Sequence, residues 1–158
     1  MLYERKPPGF SPINNVSGCF CEFGGEILLL KRREDKLHAN KWGLPGGKAN
    51  PGETPKETVI RETKEETGID VGAHGVRLLR RTFIRYPEGD FIYDIFQSGL
   101  QRREPVVLST EHIDYAWATP LRALQMDLIL DLDACINMLY VQSGQIGLAA
   151  TLDTPQGL

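Results

Sequence analysis

The chain has 158 residues, 41% hydrophobic and 25% charged, the balance of one ordinary folded domain and not of a disordered or fibrous chain. Its longest apolar runs are four residues, as in Ile27–Leu30, against about 20 for a bilayer span and about 7 to 15 for a secretory signal, so membrane and secretory readings drop out. A formal charge of −3 excludes the basic excess that holds long nucleic acids and favours a small-molecule partner.

Residues 1–15, rich in proline and asparagine, break both regular periods and read as a flexible N-terminal arm. From Ser17 to Arg32, SGCFCEF and EILLLKR read as two strands joined at Gly24-Gly25, a dipeptide suited to a tight hairpin. Cys19 and Cys21 alternate onto one strand face. With Cys135 they make an odd number without Cys-x-x-Cys spacing, which fits a reducing cytoplasm and neither a disulfide scaffold nor a zinc cluster. Residues 32–53 form a loop dense in glycine and proline, long enough that it reads either as part of a site or as a floppy segment.

The next segment carries the clearest helix signals. Thr54 with Glu57 makes a capping box, Pro55 takes the first helical position and Gly68 supplies a left-handed terminator, so the spacing predicts a helix over 55–67. Downstream, VRLLRRTFIRY and FIYDIFQSG flank the turn Pro87–Asp90 and read as a second hairpin. Further strands are expected at VVLS and IDYAWA. Leu132, Cys135, Ile136, Leu139 and Tyr140 recur at helical spacing, with Asp131 as N-cap and Gly144 past the end. The main domain is expected over 16–142 and a tail over 143–158.

Inside the predicted helix, Glu62 stands three and four residues before Glu65 and Glu66, so three carboxylates share one side, read as an exposed face. Each like-charge pair at that spacing costs an isolated helix about 0.2 to 0.5 kcal/mol, and a divalent cation offsets the repulsion. Oxygen donors without histidine or cysteine suit Mg2+ or Mn2+, which sit between carboxylates and substrate phosphates. Alone, the pattern also describes an ordinary solvated acidic face. A Walker loop is absent: Trp42 stands where its first glycine would be, and Ala49 follows Lys48 where Ser or Thr is needed.

From Gly47 the chain reads GKANPGETPKETVIRETKEETGI, which is similar to the Nudix box G-x5-E-x7-R-E-U-x-E-E-x-G-U, U being a bulky aliphatic residue. Gly47, Glu53, Arg61, Glu62, Glu65, Glu66 and Gly68 fill the seven fixed positions, an accident on the order of 10^-8 per start site. Ile69 satisfies the final U, whereas Thr63 departs from the first and should weaken packing of the helix on the sheet. ILLLKRR and Ala39–Gly47 extend the resemblance, which covers residues 16–124.

The resemblance implies an α/β fold, a mixed β-sheet sandwiched between helices. It also implies hydrolysis of a nucleoside diphosphate linked to some group X: a nucleoside triphosphate or oxidised dNTP, a dinucleoside polyphosphate or a nucleotide sugar. It places Glu62, Glu65, Glu66 and the Gly46 carbonyl on Mg2+ or Mn2+, and makes Arg61 and Glu53 a brace for the box. Gly46 and Gly47 let the backbone approach phosphates, Lys48 reads as a phosphate contact or else as a surface lysine, and Arg32 joins them as a substrate-binding candidate. The general base falls on Glu62 or on the distal Glu111, in the stretch Thr110–Trp117. Trp42 either stacks on a base or pins its loop. Tyr86 falls where the diadenosine polyphosphate subgroup carries a tyrosine, and Ile84 where the ADP-ribose subgroup carries a proline. His38, His74 and His112 read as lone surface histidines. The alternative is a non-catalytic Nudix-like module that binds or senses a nucleotide, and a homodimer stays open.

Overall fold

Cys19, Cys21, Leu28 and Leu30 pack into one core cluster and Phe20, Ile27 and Leu29 into another, all wholly or almost wholly buried. Successive side chains of a strand point to opposite faces, so these central strands are covered on both sides. The computed structural model describes residues 1–144. In chain order the strands are β1 (Leu2–Tyr3), β2 (Pro12–Phe23), β3 (Glu26–Arg32), β4 (Trp42–Gly43), β5 (Gly46–Lys48), β6 (Arg77–Tyr86), β7 (Gly89–Gly99) and β8 (His112–Ala118). The helices are α1 (Pro55–Thr67), α2 (Val71–His74), α3 (Pro120–Ala123) and α4 (Leu132–Ile136), the last continued by a π-helical turn over Asn137–Val141.

The sheet is mixed. β2 runs parallel to β7 from Pro12↔Asp90 to Glu22↔Gly99, and antiparallel pairings add β6 and then β1. On its other side β2 meets β3 only at the hairpin, Glu22↔Ile27 and Phe23↔Glu26, after which β3 turns away to pair along its length with β8. β5 pairs with Val16–Gly18 of β2, and β4 with Leu30 and Lys31 of β3. The parting of β2 and β3 thereby seats Gly46 and Gly47 against β2. Only glycine fits at Gly46: its φ is +156°, and a Cβ there would stand 2.1 Å from the Ser17 carbonyl oxygen.

Val59, Ile69 and Val71 cover one face together with Phe96 and Leu100, while Leu132, Cys135, Ile136, Leu139 and Tyr140 cover the other with Ile95. The result is an α/β/α sandwich. Helix α1 has the expected bounds. Thr54 Oγ1 accepts the Glu57 N–H at 3.2 Å, and Gly68, at φ +77°, donates its N–H to the Lys64 carbonyl.

Four local expectations differ. β2 begins at Pro12 because β7 pairs with it that far, and β1 adds to the edge of β6 while Phe10 packs edge-on against Phe83 at 5.3 Å. The long loop condenses into β4 and β5. VVLS is not a strand: the N–H groups of Val107 and Ser109 donate to the Thr67 and Glu66 carbonyls at the end of α1. Asp131 makes no side-chain cap to α4; its backbone is left-handed, φ +68°, and its carboxylate accepts the Tyr86 hydroxyl. From residue 145 the expected tail lies outside the described residues. Among the described residues no helix is long and apolar enough to cross a membrane.

Candidate active site

The box helix is tied to the glycine loop by one arginine. Arg61 binds Glu53 with two parallel bonds, Nε to Oε2 at 2.8 Å and Nη2 to Oε1 at 2.9 Å, and Nη2 also donates to the Lys48 carbonyl at 3.0 Å. Its Nη1 reaches Glu62 Oε1 at 2.8 Å and Glu65 Oε2 at 3.4 Å. Glu53 further accepts from Thr58 Oγ1 and from the Asn50 N–H; the Arg61 bonds, with these, hold its carboxyl down to about 2. Gly47 lies so close to α1 that a Cβ would meet the Glu62 Cδ at 2.5 Å.

Glu66 corrects the exposed-face expectation. It is 4% exposed, turned inward with Thr58, Val59, Thr63 and Thr67, and its Oε2 accepts the Gly46 N–H at 3.1 Å. Burial pushes its carboxyl up to about 8; the Gly46 N–H opposes the rise, the charges of Glu62 and Glu111 add to it, and Arg32 opposes it. Glu62 is mostly covered, whereas Glu65 is 58% exposed and is met by Arg61 at 3.4 Å. The three carboxylates therefore share a helix side but not an environment.

The remaining expected residues gather around this helix. Arg32, at the end of β3, donates Nε to the Leu37 carbonyl at 2.8 Å and is near enough to favour the charged form of Glu66. Glu111 is exposed at the end of the segment that crosses the C-terminus of α1, and its charge reaches Glu66. Lys48 is exposed at the end of β5. Trp42 packs on the α4-side core, and its backbone is held by Asp127 and Ile129, both at 2.9 Å, so it pins the loop. Tyr86 gives its hydroxyl to Asp131 at 2.9 Å.

The histidines are a correction as well. His112 is 7% exposed, with Nδ1 unpartnered among the described residues and its pKa lowered by burial; β8 pairs it with Arg32 of β3. His74 is mostly covered and bonded to Glu104 at 3.0 Å, and His38 is half-buried. Arg33 is a contact that sequence reasoning misses: it grips the backbone next to Glu111, and the one available signal was the Arg-Arg pair ending the strand.

The donors fit a hard divalent cation. They are carboxylate and carbonyl oxygens, and Glu66 holds a buried position whose charged form is disfavoured until positive charge arrives. Among the described residues no three His, Cys, Asp or Glu side chains already form a cage, and Arg61 occupies Glu62 and Glu65.

A family model for the NUDIX domain matches residues 12–134. The 8-oxo-dGTP diphosphatase of Escherichia coli (strain K12) is 50% identical over 44 residues, 28% of this chain and 34% of that protein. The RNA pyrophosphohydrolase of Pseudomonas syringae pv. syringae is 34% identical over 82 residues, 51% of this chain and 46% of that protein. The alignments thus span a third to a half of these curated relatives. The crystal structure of the MutT protein from Methanosarcina mazei Go1 superposes with a TM-score of 0.74 at 32% identity, covering 84% of this chain and 96% of that one. A C. elegans Ap4A hydrolase shares the fold, with a TM-score of 0.69 at 20% identity, covering 84% of this chain and 99% of that one. With the box residues gathered at one end of the sandwich and the family model spanning most of its length, the chain belongs to the NUDIX domain family.

Proposed function

We propose that the chain is a divalent-cation-dependent pyrophosphohydrolase that cleaves a nucleoside diphosphate linked to a second group, X, by attack of water at phosphorus. One observation carries the reading: the buried Glu66 carboxyl accepts the Gly46 N–H at 3.1 Å, and the bare backbone of Gly46 and Gly47 lies against Glu62 on the same helix side, so oxygen donors suited to a hard cation meet where phosphates can approach. Glu62, Glu65, Glu66 and the Gly46 carbonyl would hold Mg2+ or Mn2+. When bound, the cation draws charge from the diphosphate and orients it.

The chain's own groups supply the other parts. Glu111 takes the proton of the attacking water; it makes no ion pair among the described residues, whereas Glu62 is engaged by Arg61 at 2.8 Å. Arg61 and Glu53 hold α1 against β5, so the carboxylates keep their places. Lys48 and Arg32 meet phosphate oxygens, and the missing side chains of Gly46 and Gly47 let phosphates approach the backbone. Water adds in line at one phosphorus, the anhydride P–O bond breaks toward the other, and a nucleotide and a phosphorylated X leave.

Small nucleotides are the proposed substrates, nucleoside triphosphates and their oxidised purine forms first, in a reducing cytoplasm. The stretch shared with the E. coli 8-oxo-dGTP diphosphatase supports this choice, and the −3 charge argues against long RNA. The commitment of Tyr86 to Asp131 weakens the dinucleoside polyphosphate reading.

A substrate panel tests the proposal: nucleoside triphosphates, 8-oxo-dGTP, diadenosine tetraphosphate, ADP-ribose and a short triphosphorylated RNA, each with Mg2+, Mn2+ or EDTA. Cleavage of a triphosphate with either cation and none in EDTA is expected. Full hydrolysis in EDTA would contradict cation dependence, and tight binding without turnover of any compound would return the chain to the sensing module.

A further inference from the structure

Between β7 and β8 the chain runs from Leu100 to Glu111 with neither strand nor helix, yet it is tied along its length. The Leu100 N–H donates to the Glu22 carbonyl at 2.8 Å and the Gln101 N–H to His74 Nδ1 at 3.2 Å. The guanidinium of Arg103 lies 5.1 Å from the Trp117 ring centroid, and Val107 and Ser109 hang on the end of α1 at 2.9 and 3.3 Å. The end of this strap is gripped from another element. Arg33, the first residue past β3, donates its backbone N–H to the Glu111 carbonyl at 3.2 Å and its Nη1 to the Thr110 carbonyl at 2.8 Å. Asp35 holds the same guanidinium, at 3.1 Å through Nε and 3.3 Å through Nη2. One arginine, itself oriented by a carboxylate, fixes two successive carbonyls.

We propose that Arg33 is a positioning residue for Glu111: it holds the Thr110–Glu111 backbone so that the Glu111 carboxylate stands at the Glu66 site, and it does not touch substrate. The proposal rests on the reading of Glu111 as the group that takes the proton from water. Proton transfer demands close geometry, and a misplacement of about 1 Å costs on the order of 10^2-fold. Substituting the side chain leaves the backbone N–H tether intact. Arg33→Ala should therefore lower kcat by about 5- to 50-fold with KM held within about twofold. Arg33→Lys keeps one donor without the fork and should recover part of the loss, and Asp35→Asn should fall between parent and Arg33→Ala.

The test is a double-mutant cycle with one triphosphate substrate and Mg2+: parent, Arg33→Ala, Glu111→Gln and the pair. If Arg33 acts through Glu111, Arg33→Ala lowers kcat in the parent but by less than about twofold in the Glu111→Gln background. Arg33 is 42% exposed, so thermal unfolding should stay close to that of the parent and separate positioning from loss of fold. Equal losses in both backgrounds, or a raised KM with kcat unchanged, would overturn the proposal. An unchanged kcat in Glu111→Gln alone would overturn the base reading, and the role of Arg33 with it.

Discussion

Thr63 sits at the centre of the box helix with no exposed surface and a hydroxyl that has no hydrogen-bond partner among the described residues. A buried, unsatisfied hydroxyl costs about 1 to 3 kcal/mol, and valine matches threonine in shape, so Thr63→Val should stabilise the fold by about 1 kcal/mol. Chemical denaturation checks this; a destabilised variant would mean that the hydroxyl has a partner. The departure from a bulky aliphatic residue was visible in the sequence, as was the Glu53–Arg61 pair. The burial of Glu66 was not. Helical spacing places residues 62, 65 and 66 on one side, but the close approach of the Gly46 backbone decides which carboxylate turns inward. The burial of His112 is illegible for a similar reason, since a strand's alternation does not say which of its faces a neighbouring strand and loop will cover.

The start and end of α1 were readable because caps are local: a threonine oxygen, a proline and a glycine each act within one turn. The strap was unreadable because its partners are distant. VVLS has the composition of a strand, yet its N–H groups satisfy the last carbonyls of α1, orphans that every helix leaves at its end. The early start of β2 is likewise a tertiary effect, for Pro12, Asn14 and Asn15 are poor strand formers held by parallel pairing with β7. The fit of β5 against α1 gives a sharp prediction. A methyl at Gly47 would stand 2.5 Å from the Glu62 Cδ, so Gly47→Ala must displace that carboxylate and disturb its pair with Arg61. Turnover should fall by at least about 10-fold while circular dichroism is retained. Parental activity would mean that the position of Glu62 does not matter.

A mixed sheet with both faces covered confines the chemistry to one end, where β4 and β5 fill the gap between β2 and β3. Away from that end the fold carries its own acid sensitivity. Arg85 binds Asp90 through two bonds, at 2.8 and 3.0 Å, while the Ser11 N–H and the Pro8 carbonyl bring the arm onto the same pair. Arg85 first, and the Ser11 N–H with it, lower the Asp90 carboxyl from 3.8 to about 2. A carboxyl depressed by folding stabilises the native state above its unfolded value, and that contribution disappears as pH falls from about 4 to about 2. Asp90→Asn should therefore be less stable than the parent at neutral pH, and the gap should close across that interval. Thermal unfolding at several pH values measures it, and a gap that does not vary with pH would contradict the assignment. We propose that the acidic end around Glu66 performs nucleotide hydrolysis. The most direct test of this claim is the turnover of Glu66→Gln against the parent with a nucleoside triphosphate and Mg2+, circular dichroism being recorded on the same samples. Because the substitution replaces an oxygen that can carry charge toward a cation with a neutral amide and keeps the shape, the fold should be intact and turnover should fall by at least about 10^2-fold. A folded Glu66→Gln enzyme within twofold of the parent would contradict the claim.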